Sequence, residues 1–226
     1  MKNTKKVSRV VVLGSNSFIA KNVIKKLLKK NIKVIEITKN QIDFSNNKSS
    51  LELNKIIKDN DSIFFVAAKA PVKNIKMLVY NLKICNNICN VIKNFKISHL
   101  TYVSSDAVYK DSLKKINEES SAEPSSLHGL MHLTREKILE SFFDNKLCII
   151  RPTLIYGLED PHNGYGPNRF VGLATKNKPM LIFGNGEERR DHIFVDDLVK
   201  IIAKCLEKKA LGILNLVSGK VYSFKY

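Results

Sequence analysis

The sequence predicts an α/β fold with a doubly wound parallel sheet, on three observations. Strand-like apolar runs alternate with helix-like segments from the start of the chain, an order typical of parallel strands flanked by helices. The first apolar run passes through a glycine-containing turn directly into a helix. The 226 residues, 44% of them hydrophobic, are enough for one buried core and too few for two ordinary domains. We therefore expect one globular unit.

Up to Pro152 the predicted elements alternate without interruption. Residues 18–30 illustrate the helical signal, because apolar side chains recur at Ile19, Val23 and Leu27. In chain order we predict strands at residues 7–13, 33–37, near Ile42, 62–67, 100–103 and 148–151, and helices at residues 18–30, 51–57, 77–92 and 127–143.

Beyond Pro152 the alternation loosens. Residues 156–168 are rich in Gly, Pro and Asn, a composition that indicates a long loop, and such loops usually carry function rather than packing. We predict two further strands, at residues 180–183 and 213–217, on either side of a helix at residues 196–206.

The formal net charge of +17 raises the question of nucleic-acid binding, because dense lysine neutralises phosphates without sequence specificity. The lysines are spread over every predicted helix, which is typical of solvated helix faces rather than of one polyanion site. We therefore do not favour a nucleic-acid partner. No apolar run approaches the roughly 20 residues that span a bilayer, so we expect no membrane insertion.

The cysteines and the amino-terminal segment indicate a cytoplasmic protein. Cys85, Cys89, Cys148 and Cys205 lack the paired spacing of a zinc site, so we interpret them as reduced thiols. The first apolar run ends at Gly14 without a small-residue cleavage site, which argues against a secretory signal.

The turn after the first strand has the features of a phosphate-binding loop. Gly14 supplies a tight turn at the start of a helix, where free N–H groups and the positive end of the helix dipole favour an anion. Ser17 and Ala20 stand where glycines normally permit close approach of a dinucleotide. Ser17 would either weaken that approach or add a hydroxyl contact to phosphate.

The end of the second strand leaves the choice of dinucleotide open. An acidic residue there binds the ribose 2′-hydroxyl of NAD, but the position falls on Thr38, followed by Lys39. These two residues favour the 2′-phosphate of NADP slightly. Glu36 would serve NAD if the strand ended earlier, and Lys39 is as readily interpreted as a surface lysine.

The order of the motifs resembles the NAD-dependent epimerase/dehydratase group of extended short-chain dehydrogenases, which have a Rossmann fold. The motifs are GSNSFIA, SIFFVAAKAP, YVSSDAVY, RPTLIYG and GNGEERRDHIFVDDL. The resemblance implies a dinucleotide-binding core at residues 1–152 and a small substrate-binding part at residues 153–226, within one unit. It implies cofactor contacts at Gly14, Asn16, Ser17, Phe18, Ile19, Ala20, Thr38, Lys39, Asp43, Ala67, Ala68, Ser104, His132, Pro152 and Thr153.

The resemblance also assigns catalytic roles, with one marked departure. Ser105 falls where the family hydrogen-bonds the sugar hydroxyl, and Asp106 follows it. In place of the family's Tyr and Lys, four residues apart on one helix face, the chain has His128 and His132. A neutral imidazole accepts a proton near pH 7, so His128 could act as the base and His132 could contact the ribose. A metal pair is the less favoured alternative, since no third ligand is evident.

Two residues are implied for the second ligand, a nucleotide-diphosphate sugar. Asn168 and Arg190 take the positions that contact the diphosphate, for which a guanidinium fork is well suited. A surface ion pair of Arg190 with Asp191 or Asp197 is the alternative. We expect His99, His162 and His192 to be structural or solvent-facing.

The function implied is reversible hydride transfer at a sugar carbon, as in a nucleotide-sugar epimerase. A catalytically impaired relative is the alternative, because Tyr, Lys and two motif glycines are replaced and the C-terminal part looks truncated beside the family. The helix at residues 77–92 and the helix carrying His128 commonly pair in family dimers, which implies a possible homodimer.

Overall fold

The computed structural model describes residues 7–112, 114–158, 160 and 166–226. The described strands are β1 (Arg9–Leu13), β2 (Lys33–Ile37), β3 (Ser62–Phe65), β4 (His99–Val103), β5 (Leu147–Pro152), β6 (Leu154–Tyr156), β7 (Arg189–Phe194), β8 (Gly212–Leu216) and β9 (Val221–Ser223). The α-helices are α1 (Phe18–Leu28), α2 (Ser49–Ile56), α3 (Ile75–Ile92), α4 (Leu127–Phe143), α5 (Pro167–Ala174) and α6 (Val195–Lys208).

Six of the strands form one parallel sheet in the order β2-β1-β3-β4-β5-β8. This is the doubly wound arrangement that the alternation of elements predicted. The chain leaves β1 towards β2 on one side and returns to β3 on the other, so the winding reverses between β1 and β3. Ligands of such sheets bind in the crevice at the carboxyl ends of the strands where this reversal occurs.

Helices cover both faces of the sheet. Alternate residues of β1 enter opposite cores: Val11 and Leu13 join one buried cluster, and Val10 and Val12 join the other. Helices α2, α3 and α4 contribute side chains to the first cluster, while α1 and α6 contribute to the second. Because both faces are covered, central strands such as β3 are buried along their whole length.

The C-terminal part departs from the predicted elements. β6, β7 and β9 form a separate three-stranded sheet, in which β6 and β7 are parallel and β7 and β9 antiparallel. These strands, and helix α5, had no counterpart in the prediction. The strand predicted at residues 180–183 is wrong: the segment lies outside regular structure, and Leu181 and Phe183 are 76% and 65% exposed.

The short strand predicted near Ile42 is also wrong. Ile42 and Phe44 lie in a turn-rich segment between β2 and α2, yet both are 4% exposed and pack into the cluster on the α3 side of the sheet. The apolar pattern there reflects a loop anchored in the core, which period-based reasoning does not distinguish from a strand.

Two further sequence-based expectations concern membranes and thiols. None of the described helices is long and apolar enough to cross a membrane. The four cysteines are buried and unpaired. The loop expected at residues 156–168 is described only in part, and His162 lies outside the described residues.

Candidate functional site

Gly14 closes the turn at the carboxyl end of β1 in a conformation that only glycine adopts readily. Its φ is +96°, and a Cβ there would lie 2.7 Å from Cα of Ala67, just beyond β3. The N–H groups of Gly14 and Ser15 donate to the Ile37 carbonyl at 2.9 and 3.1 Å. The turn is therefore held between the ends of β2 and β3, at the reversal of the sheet.

The start of α1 provides a polar cradle beside this turn. Ser17 is the N-cap, and its Oγ accepts the Ala20 N–H at 3.2 Å. This contact uses a lone pair of Oγ and leaves the hydroxyl proton available as a donor. Oγ of Ser15 is buried and has no hydrogen-bond partner among the described residues. A buried hydroxyl of this kind is the group that a bound ligand would satisfy, so the turn fits a dinucleotide phosphate.

The other residues of this turn border the cradle. Asn16 is exposed, Phe18 and Ile19 are half-buried, and Ala20 is buried. On the facing edge Ala67 is half-buried and Ala68 is exposed. The exposed residues on the two sides of the packed Gly14–Ala67 contact are thus Asn16 and Ala68.

The end of β2 carries a small polar cluster. The strand ends at Ile37, so Thr38 is the first residue beyond it, with its N–H and hydroxyl donating to Gln41 Oε1 at 2.9 and 3.0 Å. Lys39 Nζ lies 3.9 Å from Asp43 Oδ2 and 5.4 Å from the centre of the Tyr80 ring. The Ser45 hydroxyl donates to Asp43 at 2.6 Å and is the main cause that lowers the pKa of that carboxyl.

Ser105 begins a short 3₁₀ turn, Asp106–Val108, directly after β4. Its Oγ accepts the Ala107 N–H at 3.1 Å and donates to Asp106 Oδ1 at 3.2 Å. Burial raises the pKa of Asp106, while the nearby Thr153 and Ser105 hydroxyls and the charge of Arg190 act against this rise. Asp106 thus lies between the Ser105 turn and the residues Thr153 and Arg190.

Gly129 sets the distance between this turn and helix α4. A Cβ at Gly129 would overlap the Ala107 carbonyl oxygen and lie 2.7 Å from its carbon and 2.9 Å from Cβ of Pro124. The close approach brings the first turn of α4, which carries His128, against the Ser105 turn, and Nδ1 of His128 lies 3.5 Å from the Val72 N–H. The close contact of Gly129 with Ala107 was not predicted from the sequence, although a glycine in the first turn of a helix was a signal for it.

The two histidines lie in different surroundings. His128 is half-buried, and its ring centre is 4.7 Å from that of His132 in an edge-to-face arrangement. His132 is only 5% exposed, and its Nδ1 is 2.8 Å from the Tyr102 hydroxyl. Burial lowers the pKa of His128, whereas burial and then the charges of His128 and Arg135 hold the pKa of His132 well below its usual range.

Both rings are therefore neutral at pH 7, and neither supplies a permanent charge. Among the described residues, no group of three or more His, Cys, Asp or Glu side chains is placed to hold a metal ion. Of the other histidines, His99 is fully buried, with Nε2 2.7 Å from the Ala210 carbonyl, and His192 is half-buried.

A buried polar network under the site was not predicted. The Ser104 hydroxyl donates to Glu136, whose other carboxylate oxygen is 2.6 Å from Arg151 Nη2. Arg151 Nη1 also donates to the Tyr109 hydroxyl at 2.6 Å. Because Arg151 immediately precedes Pro152 and Thr153, the network links β4, α4 and the end of β5. A carboxylate on the buried face of α4 and an arginine in an apolar strand were its signals in the sequence.

The predicted cofactor residues at the end of β5 are both buried. Thr153 is 8% exposed, and its hydroxyl donates to the Asp191 carbonyl at 2.9 Å, while its N–H donates to Leu216 at 3.0 Å. Pro152 is the last residue of β5. These contacts join the end of β5 to β7 and β8.

Asn168 and Arg190 are already engaged by other side chains. Asn168 accepts the Gly157 N–H at 3.1 Å and donates to Asp160 at 2.6 Å. Arg190 donates to Glu188 at 2.7 Å and to Asp111 at 2.9 Å.

The ion pairs of Arg190 with Asp191 or Asp197, which the sequence offered as the alternative, are therefore wrong, because Arg190 pairs with Glu188 and Asp111 instead. Asp191 accepts the backbone N–H groups of Ser218 and Gly219, both at 2.8 Å, and Asp197 pairs with Lys200 at 2.9 Å. The Arg190 side chain remains 39% exposed.

Comparison with known proteins identifies relatives along almost the whole chain. A family model described as NAD dependent epimerase/dehydratase family matches residues 10–216. The chain is 26% identical over 210 residues to an uncharacterized UDP-glucose epimerase, YtcB, of Bacillus subtilis, covering 88% of this chain and 66% of that protein. It is 26% identical over 250 residues to dTDP-D-glucose 4,6-dehydratase of Dictyostelium discoideum, covering 91% of this chain and 57% of that protein.

The fold is shared with solved structures at lower identity. UDP-glucose 4-epimerase of Thermus thermophilus, in complex with NAD, superposes with a TM-score of 0.83 at 19% identity, covering 96% of this chain and 80% of that one. Of the two sequence relatives named above, the chain covers 66% and 57% of the length, less than two thirds in each case.

Proposed function

Because the chain belongs to the NAD-dependent epimerase/dehydratase family, we propose that it binds a nicotinamide dinucleotide and a nucleotide-diphosphate sugar and catalyses reversible hydride transfer at a sugar carbon. The observation that best supports the proposal is the close approach, at Gly129, of the first turn of α4, which carries His128, to the Ser105 turn. That turn follows β4, two strands from the Gly14 turn after β1 in the same parallel sheet. A proton acceptor, a hydroxyl and a phosphate-binding turn would therefore lie along one edge of the sheet.

The residues proposed to hold the dinucleotide surround this edge. The backbone of the Gly14 turn and the Ser15 hydroxyl would bind the pyrophosphate, and Ala67 and Thr153 would border the nicotinamide end. When bound, the dinucleotide supplies the hydride acceptor and donor. Thr38 and Lys39 are proposed to face the ribose 2′ position, where Lys39 would exchange its contact with Asp43 for a 2′-phosphate.

The chemistry assigned to the protein's own residues is proton transfer and binding. Ser105 would donate a hydrogen bond to the sugar hydroxyl, and His128, neutral at pH 7, would accept the hydroxyl proton as the carbon–hydrogen bond breaks. Return of the proton from His128 and of the hydride to the other face of the carbon would complete an epimerisation. Asp106, which accepts the Ser105 hydroxyl proton at 3.2 Å in the free protein, would give it up to the sugar oxygen when the sugar binds, and His132 would contact the ribose through Nε2.

Binding of the sugar nucleotide is proposed for Asn168 and Arg190. Arg190 is the better supported of the two, because it is partly exposed and its charge reaches Asp106 in the site. We further propose a homodimer through α3 and α4, whose outer faces expose Val79 and Leu130, and a cytoplasmic location, which the four free thiols favour.

Calorimetry and turnover on the intact chain test this function in two steps. NAD, NADP and a panel of UDP- and dTDP-sugars are titrated first, and binding of one dinucleotide and one sugar nucleotide is expected. Turnover of the bound sugar, followed by product analysis, is expected to fall by roughly 10²-fold or more in His128→Phe, the size of a general-base contribution. The matched control, Lys137→Ala, alters an exposed residue of the same helix that lies outside the proposed site and should leave turnover unchanged.

Three outcomes separate the possible results. Failure to bind any dinucleotide would overturn the proposal as a whole. Binding of both ligands without turnover would instead identify a binding protein derived from an enzyme family. Turnover that is unaffected by His128→Phe would remove His128 from the reaction and leave the ligand assignments intact.

A further inference from the structure

Arg135 is a buried cation that the proposed reaction does not use. It lies on α4 one turn after His132 and is fully buried. No carboxylate of the described residues lies within ion-pair distance of its guanidinium. A buried charge without a counterion costs several kcal/mol unless other groups satisfy it, so its position calls for a physical explanation.

The guanidinium is instead held by a carbonyl and by two aromatic faces. Nη2 donates to the Ala67 carbonyl at 2.9 Å. The guanidinium carbon lies 4.4 Å from the centre of the Phe65 ring and 5.0 Å from that of Tyr102, which is the geometry of a cation–π contact. Arg135 therefore ties α4 to the segment after β3 that packs against Gly14.

Tyr102 connects this cation to the histidine pair. Its ring contacts the guanidinium on one side, while its hydroxyl lies 2.8 Å from Nδ1 of His132. That hydrogen bond has two possible directions, since the hydroxyl can donate to Nδ1 or accept a proton from it. A cation over the ring withdraws electron density from the phenol, which makes the hydroxyl a better donor and a poorer acceptor.

We propose that Arg135 is a positioning residue that fixes His132 in the neutral tautomer with its proton on Nε2, acting through the Tyr102 hydroxyl. In this state Nδ1 accepts from Tyr102, and Nε2–H is left as a hydrogen-bond donor. Only the identity of the group that accepts this N–H, the ribose, rests on the proposed function. The same charge also opposes protonation of His132, so the ring stays neutral when His128 beside it gains a proton.

The titratable and charged groups around His132 and its neighbours Tyr102 and Arg135 come from three elements. Tyr102 belongs to β4, and His128, Arg135 and Glu136 belong to α4; Glu136 is committed to Arg151. Cys85 on α3 lies close to Arg135. The hydrogen bond from Cys89 is the main cause that lowers the pKa of the Cys85 thiol, and the charge of Arg135 lowers it further. Of these, only His128 and Arg135 contribute charges that lower the pKa of His132.

Nitrogen NMR of the imidazole rings tests the tautomer directly. The ¹⁵N shifts of His132 are compared in wild type, Arg135→Met and Arg135→Lys, without any ligand. In wild type the Nε2–H form should dominate by roughly tenfold, the scale of a desolvated cation–π contact. Arg135→Met should bring the two tautomers towards equal populations and raise the pKa of His132, whereas Arg135→Lys, which keeps the charge, should stay near wild type.

A control and a second variant keep the test decisive. His99 begins β4, at the end of the strand far from Tyr102, and is hydrogen-bonded to the Ala210 carbonyl. Its NMR signals should be unchanged in each variant, which would show that the fold is intact. If Arg135→Met does not fold, Tyr102→Phe removes only the hydroxyl and should likewise abolish the tautomer preference. Unchanged His132 shifts in a folded Arg135→Met or Tyr102→Phe protein would overturn the proposal. Because no dinucleotide or sugar is present, this result is independent of the proposed function.

Discussion

At the scale of single residues, two glycines determine which groups of the site meet. Gly14 and Gly129 both occupy positions where a Cβ would meet backbone atoms, of Ala67 and Ala107 respectively. Backbone atoms yield less readily than side-chain ends, so neither position tolerates a methyl group cheaply. The first glycine was predictable from its motif. The close approach at the second was not, because a glycine in the first turn of a helix signals an unusual packing position but not which element it meets.

Substitution of Gly129 by Ala tests how far the site depends on this close approach. The added methyl group would push α4 away from the Ser105 turn, and overpacking of this kind costs about 1–3 kcal/mol of unfolding free energy. Turnover should fall by roughly 10²-fold, as for a displacement of about 1 Å between reacting groups. Urea unfolding and steady-state kinetics measure the two effects. Equal stability and turnover in Gly129→Ala and wild type would show that α4 adjusts without consequence.

The ion pair between Arg190 and Asp111 offers a test in which substitution of Arg190 weakens sugar-nucleotide binding and substitution of Asp111 strengthens it. If the guanidinium binds the diphosphate, Arg190→Ala should weaken sugar-nucleotide binding by about 1.5–3 kcal/mol, the range for a charge-assisted hydrogen bond. Asp111→Asn removes a competing carboxylate at 2.9 Å and should tighten binding. Calorimetry with a UDP- or dTDP-sugar measures both. Unfolding free energy should change by less than about 1 kcal/mol, because the ion pair is exposed. Equal affinity in all three proteins would reduce Arg190 to a surface residue.

At the scale of elements, the success of a prediction follows from how local its signal is. Helix α4 was predicted with its observed bounds, because the spacing that indicates a helix lies within one continuous stretch of sequence. The strands β6 and β9 have three residues each, and β7 contains Arg189, Arg190 and Asp191. They exist through pairing with one another, and no local pattern reports such pairing.

The Ser17 cap provides the prediction at this scale. Ser17→Ala removes the acceptor of the Ala20 N–H and should lower the unfolding free energy by about 1 kcal/mol, the usual value of an N-cap. Ser126→Ala is the matched control, since Ser126 caps α4 by accepting the Gly129 N–H at 3.1 Å. Both losses should be similar in urea unfolding, but only Ser17→Ala should change dinucleotide affinity. A change in affinity from Ser126→Ala alone would argue against binding at the start of α1.

At the scale of the whole molecule, the alternation of elements was sufficient to predict the parallel sheet, and the motif order was sufficient to predict the family. Neither could predict the buried charges. Arg135, Glu136 and Arg151 are buried charges, and their partners come from the segments just after β3 and β4 and from the pairing of α4 with β5. Burial of an unpaired charge is unfavourable, so a charged residue in a sequence is normally assigned to the surface. Its burial can be recognised only once its partners are known.

Buried histidines should make the stability of the whole protein sensitive to mild acid. Burial lowers the pKa values of His99, His128 and His132. The unfolded chain therefore takes up these protons first, as the pH falls through about 6.5. The unfolded state then binds more protons than the folded state, so the unfolding free energy falls with the pH until the folded pKa values are reached. Burial raises the pKa values of Asp61 and Asp106. The folded state therefore binds these two protons first, and their contribution to the unfolding free energy rises as the pH falls.

A comparison between wild type and His132→Gln isolates the contribution of one ring, because the effects of the two aspartates cancel in the difference. The glutamine amide keeps a polar group near Tyr102 but does not titrate, so the variant should lose less stability than wild type below about pH 6.5. The difference in slope should reach up to about 1.4 kcal/mol per pH unit for one proton. Urea unfolding at several pH values between about 5 and 7.5 measures it, with Leu130→Ala as a control whose difference from wild type does not vary with pH. Parallel curves for wild type and His132→Gln would mean that His132 is protonated equally in the folded and unfolded states, contrary to its burial against Tyr102 and Arg135.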